Sequence, residues 1–367
     1  MGFLTRTLKK MAHSFDPFLI SCTAGLSLIS LLMLWGGRGE FGSRAFIMQL
    51  VMTVLGNFAL MFIASLDYEY FVDKYYIVIG IVSALFLAST VLFGMSIGQN
   101  KSWLEIGGFT IQPSEFVKAT YILTFAKHIS MVKDTINSPK TLLRLGLHAG
   151  VFVGIVMMTG DLGVALVYLG ITVVMLFCAG LSVWYFVLAA VVILFIFPYL
   201  WDFLEYYQQQ RILVGFNPDI DPSDKGRQPI ISRQAIINGG FFGCGMNGGY
   251  YYATLPIAES DFAFATVCEK FGFLGGFGVI GLMALTIARI FHIGKNSRME
   301  YGSYICAGVA AMLILQTLEN VGMNLAIVPV IGITLPFISA GGSSMLATYI
   351  TMGLVHSVMA SKKKFNF

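Results

Sequence analysis

Charge is what this sequence has least of. Lys, Arg, Asp and Glu together make 11% of its 367 residues, against about 25% in a typical soluble domain. Apolar residues make 57%, and so few charges cannot cover the surface of a water-soluble protein of this length. Other scarcities narrow the function. The five cysteines (Cys22, Cys178, Cys244, Cys268, Cys306) are scattered without CxxC or metal-ligand spacing, so they read as small packing residues. The five histidines form no HExxH-like pair. The net charge is only +4, and the cations cluster beside apolar runs rather than in a patch, so no nucleic-acid partner is expected. No nucleotide-binding glycine motif appears, and no internal repeat of the kind common in transporters.

What the chain has in abundance is apolar runs. A membrane-spanning helix needs about 20 apolar residues, and ten candidates follow one another: 16–36, 44–66, 74–95, 113–130, 142–159, 162–180, 182–200, 263–291, 302–325 and 337–360. The nearly continuous stretch from Leu142 to Leu200 divides at Thr159-Gly160-Asp161-Leu162-Gly163 and at Ala179-Gly180-Leu181-Ser182, where glycine and an acid mark turns. The first run follows Arg6, Lys9 and Lys10 but lacks a small-x-small cleavage site, so it is expected to stay as an anchor. The expected fold is therefore an all-α integral membrane protein, one domain over 1–367, with about ten transmembrane helices.

Lys and Arg bias sets the orientation. With both termini in the cytoplasm, the inner segments collect fourteen of the 23 cations, among them Lys127, Lys133, Lys140, Arg144, Arg289 and Lys362. The acidic 66–74 segment runs against this trend without reversing it. One large segment, about 201–262 between spans seven and eight, then lies outside. Its aromatics, its Gln228-Pro229-Ile230-Ile231 run and its Gly-rich tract from Gly239 to Gly245 argue for order.

Ionisable groups at membrane depth are functional candidates by default. Glu115 and Lys118, three apart behind Pro113, lie on one helix face. They either neutralise each other inside the bundle or line a polar cavity. Asp161 sits at a break, as a helix cap or as a cavity carboxylate. Asp261 follows Glu259 and Ser260 where polar loop meets apolar helix. It either caps that helix or serves as a general base at the outer membrane boundary. The string Thr334 to Ser344, with Pro336 and Gly341-Gly342, breaks apolar sequence as only a protein-lined or wet site tolerates.

These strings, in this order, resemble the SEDS family (shape, elongation, division and sporulation; FtsW, RodA and SpoVE). The resemblance rests on Lys101-Ser102-Trp103-Leu104, Gln112-Pro113-Ser114-Glu115, Asp161-Leu162-Gly163, Gln210-Arg211, Asn217-Pro218 with Asp221-Pro222, Ser260-Asp261-Phe262, and Leu335-Pro336-Phe337-Ile338-Ser339 with Gly341-Gly342-Ser343. It implies a peptidoglycan glycosyltransferase that polymerises lipid II on the outer face of the bacterial cytoplasmic membrane. The essential acid would be Asp261, with Glu115, Lys118, Asp161, Arg211, Ser339 and Ser343 as substrate-binding residues. Arg211, Arg227, Arg233 and Lys118 are candidates to meet the pyrophosphate charge, alone or with a divalent cation (Mg or Mn). No nucleotide or organic cofactor is expected, which suits a lipid-linked donor. The implied partner is a class B penicillin-binding protein, a transpeptidase, within the membrane lipids. Two departures stand out: Ala340 replaces the family's usual tyrosine in Ser-Tyr-Gly-Gly-Ser, and Arg227 replaces the tyrosine of Gly-Tyr-Gln. The Asn217-Pro218 element leans toward the division type. The rival readings are a lipid II flippase and a non-catalytic scaffold for the penicillin-binding protein.

Overall fold

The structure, a computed structural model, describes residues 15–97, 100–203 and 206–363. Arg6, Lys9, Lys10 and Lys364 of the charge count lie outside the described residues. The chain begins with α1 (Pro17–Gly36), α2 (Arg38–Ser65) and α3 (Tyr68–Phe93). A small antiparallel sheet follows: β1 (Met95–Ile97), β2 (Asn100–Ile106) and β3 (Phe109–Ile111), in that order. Then come α4 (Pro113–Val132), α5 (Pro139–Met158), α6 (Leu162–Cys178) and α7 (Val183–Phe203). The large connecting segment carries α8 (Tyr206–Phe216) and α9 (Arg227–Gly239), and the chain closes with α10 (Ala263–Lys295), α11 (Glu300–Asn324) and α12 (Gly342–Lys363).

Local sequence accounts for most helix starts. Pro17, Pro113 and Pro139 occupy first-turn positions, where proline's missing N–H is no loss. Asp16, Asp67 and Asp161 cap α1, α3 and α6, accepting from Leu19, Tyr70 and Val164. The starts of α2, α3 and α12 and the segment after α3 differ from the expected spans, α2 and α3 each beginning six residues early. The sheet takes the place of a plain loop after α3, because Gly107 and Gly108, both at positive φ, make a two-residue turn that pairs Ile106 with Phe109. The last helix begins at Gly342 rather than near 337, because Phe337 adopts φ 64° and the chain folds back on itself there.

This is a multi-pass membrane protein by its surface as well as its composition. Six helices among the described residues, α1, α2, α3, α5, α10 and α11, are long and apolar enough to cross a membrane. Large apolar side chains stand exposed along them, Phe58, Phe62, Leu85, Leu92 and Phe277 among them, an area that a soluble monomer would not present. On α7 every residue from Val187 to Tyr199 is exposed. Polar helices go inside. In α4, Glu115, Lys118 and Thr124 are buried; in α12, Ser343, Thr348, Thr351, His356 and Ser357 are. Helices that meet other helices need not be apolar, and intramembrane polar groups face protein.

The two ends of the bundle differ. At one end, ion pairs join Lys127 to Asp73, Lys133 to Glu300, Arg298 to Glu69, and Arg289 to Asp16 at 2.5 Å. The other end gathers the irregular backbone: the sheet, the turn at 159–161, the segment between α7 and α10, and residues 325–341. There α10 is broken at Gly272 (φ 69°), and the Gly-rich tract fills the break. Cys244 and Gly245 donate N–H bonds to the carbonyls of Glu269 and Lys270, while Phe273 donates to Gly240. A Cβ at Gly272 would lie 2.4 Å from the Gly243 nitrogen, so only glycine permits this approach.

Glu269 and Lys270, fully buried in α10, anchor the same tract. The Glu269 carboxylate accepts the backbone N–H groups of Tyr250 and Tyr251 at 2.9 and 3.0 Å and of Tyr252 at 2.7 Å. Asn238 adds a fourth bond at 2.9 Å. Lys270 donates to the carbonyls of Gly36 and Met246 and lies 3.9 Å over the Tyr252 ring. Removing the carboxylate leaves several N–H groups unpaired, at about 1–3 kcal/mol each for a buried donor. Glu269→Ala should therefore lose roughly 3 kcal/mol and melt well below the wild type in detergent, with Glu269→Gln between them. Coincident melting of Glu269→Ala and wild type would remove this anchoring role.

Candidate functional site

The irregular segments enclose a cavity of about 540 Å³. Its walls come from several parts of the chain. The sheet and the residue after it supply Ser102 and Gln112, and the turn between α5 and α6 supplies Asp161; the segment before and within α9 supplies Asp224, Lys225 and Gln228. The approach to α10 supplies Ser260 and Asp261, and the last loop with the start of α12 supplies Thr334, Ser343 and Ser344. Polar side chains from distant positions thus converge on one space at one end of the bundle.

Asp161 lies in the turn between α5 and α6, not within either helix. It combines the two roles open to it: Oδ1 caps α6 through the Val164 N–H at 3.1 Å, and Oδ2 accepts from Gln112 Nε2 at 3.1 Å. Burial pushes its carboxyl above the usual carboxylate range, against the Val164 bond; the Glu115 charge adds to the rise and Lys118 opposes it. Glu115 and Lys118 pair at 2.7 Å, almost wholly buried, behind Asp161 rather than on the cavity wall.

Asp261 lies just before α10, and its Oδ1 accepts from the Ser260 hydroxyl at 3.3 Å. Phe262 is the N-cap of α10 and has no capping side chain. The backbone around Asp261 is held from every side. Its N–H reaches the Ile257 carbonyl at 3.1 Å, across a turn in which Ile257 takes φ 57°. Its carbonyl accepts from both Asn320 Nδ2 and Asn324 Nδ2 at 3.0 Å. Ser339, buried, donates to the Ser260 carbonyl at 2.6 Å and accepts the Leu335 N–H, so it ties the loop to the site without lining the cavity. Ala340 N–H bonds the Glu259 carbonyl at 2.8 Å. Ser343 does line the cavity, and it joins α12 to the sheet through Thr110 and Gln112.

The cations distribute unequally. Lys225 faces the cavity, a residue the sequence reading passed over along with Gln228. Arg227 lines a smaller neighbouring cavity of about 260 Å³ that shares Asp224 and Gln228 with the first. Arg233 is exposed and lines neither. Arg211 lies on α8, and its side chain is outside the described residues. Among the described residues no three His, Cys, Asp or Glu side chains are placed to hold a metal ion. Asn320 and Asn324 were also missed. Their signal was two amides four residues apart, hence on one face, in an apolar run.

Gly332 closes the wall opposite Asp261. It adopts φ 71°, and a Cβ there would stand 3.3 Å from Asp261 Oδ2. Gly332→Ala should lose about 1–2 kcal/mol from the left-handed backbone alone, read as a lower melting temperature in detergent. An unchanged melting temperature would show that the loop relaxes around the methyl group.

Comparison with known proteins extends over nearly the whole chain. Residues 17–364 match the family model FTSW_RODA_SPOVE, described as cell cycle protein. Stage V sporulation protein E of Bacillus subtilis is 32% identical over 358 residues, covering 94% of this chain and 96% of the relative. The probable peptidoglycan glycosyltransferase FtsW of the same organism is 30% identical, covering 96% and 92%. A solved structure described as "Structural coordination of polymerization and crosslinking by a peptidoglycan synthase complex" superposes with a TM-score of 0.82. It is 27% identical, and the match covers 95% of this chain and 98% of that one.

Proposed function

Because the chain belongs to the FtsW/RodA/SpoVE family, we propose that it polymerises lipid II into glycan strands at the cavity that Asp261 lines. The chain is a peptidoglycan glycosyltransferase. The observation that carries the site assignment is Asp261 itself, whose carboxylate lies on the wall of a polar cavity and whose backbone is held by Ile257, Asn320 and Asn324.

The chemistry follows from the residues. A sugar hydroxyl of the acceptor attacks the anomeric carbon of the donor, the bond from that carbon to the lipid pyrophosphate breaks, and Asp261 takes the hydroxyl proton. Direct displacement inverts the anomeric centre. The departing pyrophosphate needs positive charge, and Lys225, which lines the cavity, is a candidate for it; Lys118, committed to Glu115, acts from behind through Asp161. A divalent cation, Mg or Mn, fits only in a shared mode. Such ions are often held by one or two carboxylates plus substrate phosphates, and here Asp161 and Asp261 would be those carboxylates.

The membrane placement follows from charge. The end opposite the cavity carries Lys127, Lys133, Arg289 and Arg298 in its ion pairs, and a cation-rich end faces the cytoplasm. With ten crossings and both termini inside, the cavity would lie on the outer face of the cytoplasmic membrane, where a lipid-linked sugar and a cross-linking partner would meet it. That partner would be a class B penicillin-binding protein, in keeping with the polymerising and cross-linking complex this chain resembles.

Purified protein supplied with lipid II should produce glycan polymer, resolved by gel electrophoresis. Asp261→Asn should lower the rate by at least about 10²-fold, the lower range for removing a general base. Normal polymerisation by Asp261→Asn ends the general-base assignment. Translocation of lipid II in proteoliposomes without any polymer would favour a flippase, and polymer formed only by the partner's own active site would favour a scaffold.

A further inference from the structure

We infer that Asn320 and Asn324 of α11 are positioning residues that aim Asp261 by gripping its backbone and starting α10 in its place. The inference rests on the reading of Asp261 as the reacting carboxylate. The first N–H groups of any helix lack intrahelical partners, and a side-chain oxygen at the N-cap ordinarily supplies one. The N-cap of α10 is Phe262, which has no such oxygen. Asn324 supplies it from another helix: its Oδ1 accepts the Ala265 N–H at 3.0 Å. The same amide uses its Nδ2 to donate to the Asp261 carbonyl at 3.0 Å. One side chain therefore caps α10 and holds the residue just before it.

Asn320 completes the grip. Its Nδ2 donates to the Asp261 carbonyl at 3.0 Å and to the Ile333 carbonyl at 2.7 Å, so it joins the segment before α10 to the loop before α12. Asn324 in turn donates to the Asn320 carbonyl at 2.8 Å. A third wall is attached through Ser232 of α9, whose hydroxyl donates to the Asn324 carbonyl at 2.9 Å. Both asparagines are fully buried. An amide is the group that suits the junction, since it donates and accepts from one planar end. Aspartate keeps the accepting oxygen and loses the donor; leucine loses both.

The geometry separates aiming from folding. Asn324→Asp retains the cap on Ala265 but presents a carboxylate to the Asp261 carbonyl, and Asn320→Asp does the same at the neighbouring site. Each should melt below the wild type, because a buried carboxylate then faces a carbonyl, and at a temperature where it is fully folded it should still lower kcat for lipid II polymerisation by roughly 10- to 100-fold with KM little changed. That is the scale on which a displacement of about 1 Å acts on a reacting group. Asn324→Leu should lose both melting temperature and kcat. Wild-type kcat in Asn324→Asp and Asn320→Asp, with Asp261→Asn inactive, would overturn the clamp and leave the base assignment standing. An active Asp261→Asn would overturn the base assignment, and with it the reason for a clamp, whatever the asparagine variants do. A fall in kcat that only tracks the unfolded fraction, measured by thermal melting on the same samples, would reduce both asparagines to a structural role.

Discussion

A helix that begins at a reaction site has to find partners for its first N–H groups without filling the site with its own cap. In this protein α10 begins directly after Asp261, and the partner comes from α11 through Asn324. That single substitution of a remote cap for a local one leaves Asp261 outside the helix, with its carbonyl held by both asparagines. It also obliges α11 to end beside the cavity, and the loop after α11 to return across it. The bonds from Asn320 to Ile333 and from Ser339 to Ser260 are the consequences. The fold can be read outward from this junction.

The same constraint governs the rest of the cavity end. Hydrocarbon offers no hydrogen bonds, so irregular backbone survives at membrane depth only where protein satisfies it. Each break in this chain meets that condition with a specific donor or acceptor. Glu269 collects the N–H groups of three consecutive tyrosines, the Gly-rich tract bonds both sides of the Gly272 break, and Asp161 both caps α6 and receives Gln112. The opposite end has short connections joined by ion pairs, and the demand on backbone satisfaction there is smaller. Function is concentrated where backbone satisfaction is most demanding, because the side chains recruited to satisfy the backbone also enclose a polar space.

This asymmetry explains what could be read from sequence. Long apolar runs and their punctuation are one-dimensional signals, and α1 to α7, α10 and α11 lie over nine of the expected runs, although α2 and α3 start six residues before theirs. Proline at first turns and aspartate caps are equally local. The small sheet was missed although Gly107-Gly108 is a recognisable hairpin turn, because its strands are short and a search for 20-residue apolar runs passes over them. Asp161 and Asp261 were identified as candidates because an acid in apolar sequence is conspicuous. Their surroundings were not legible: Asn320, Asn324 and Glu269 act through backbone atoms of residues distant in sequence or across a fold-back, and no spacing rule reports such a partner. Ser339 and Ser343 look alike in the sequence and diverge in space, one buried under the Ser260 carbonyl and the other on the cavity wall.

The departures from the family's usual strings can be weighed on the same terms. Ala340 lines the cavity where a tyrosine is usual, but what it contributes to the loop is its backbone N–H, bonded to Glu259. That bond does not depend on the side chain, so alanine alters the space and lining of the cavity without loosening the turn from Leu335 to Ser339. Arg227 places a guanidinium on the smaller cavity next door, beside Asp224 and Gln228, which both cavities share. Neither position touches the junction at Asp261. Variation of this kind changes what the walls present to a substrate, while the carboxylate keeps its place because other elements hold it through backbone atoms.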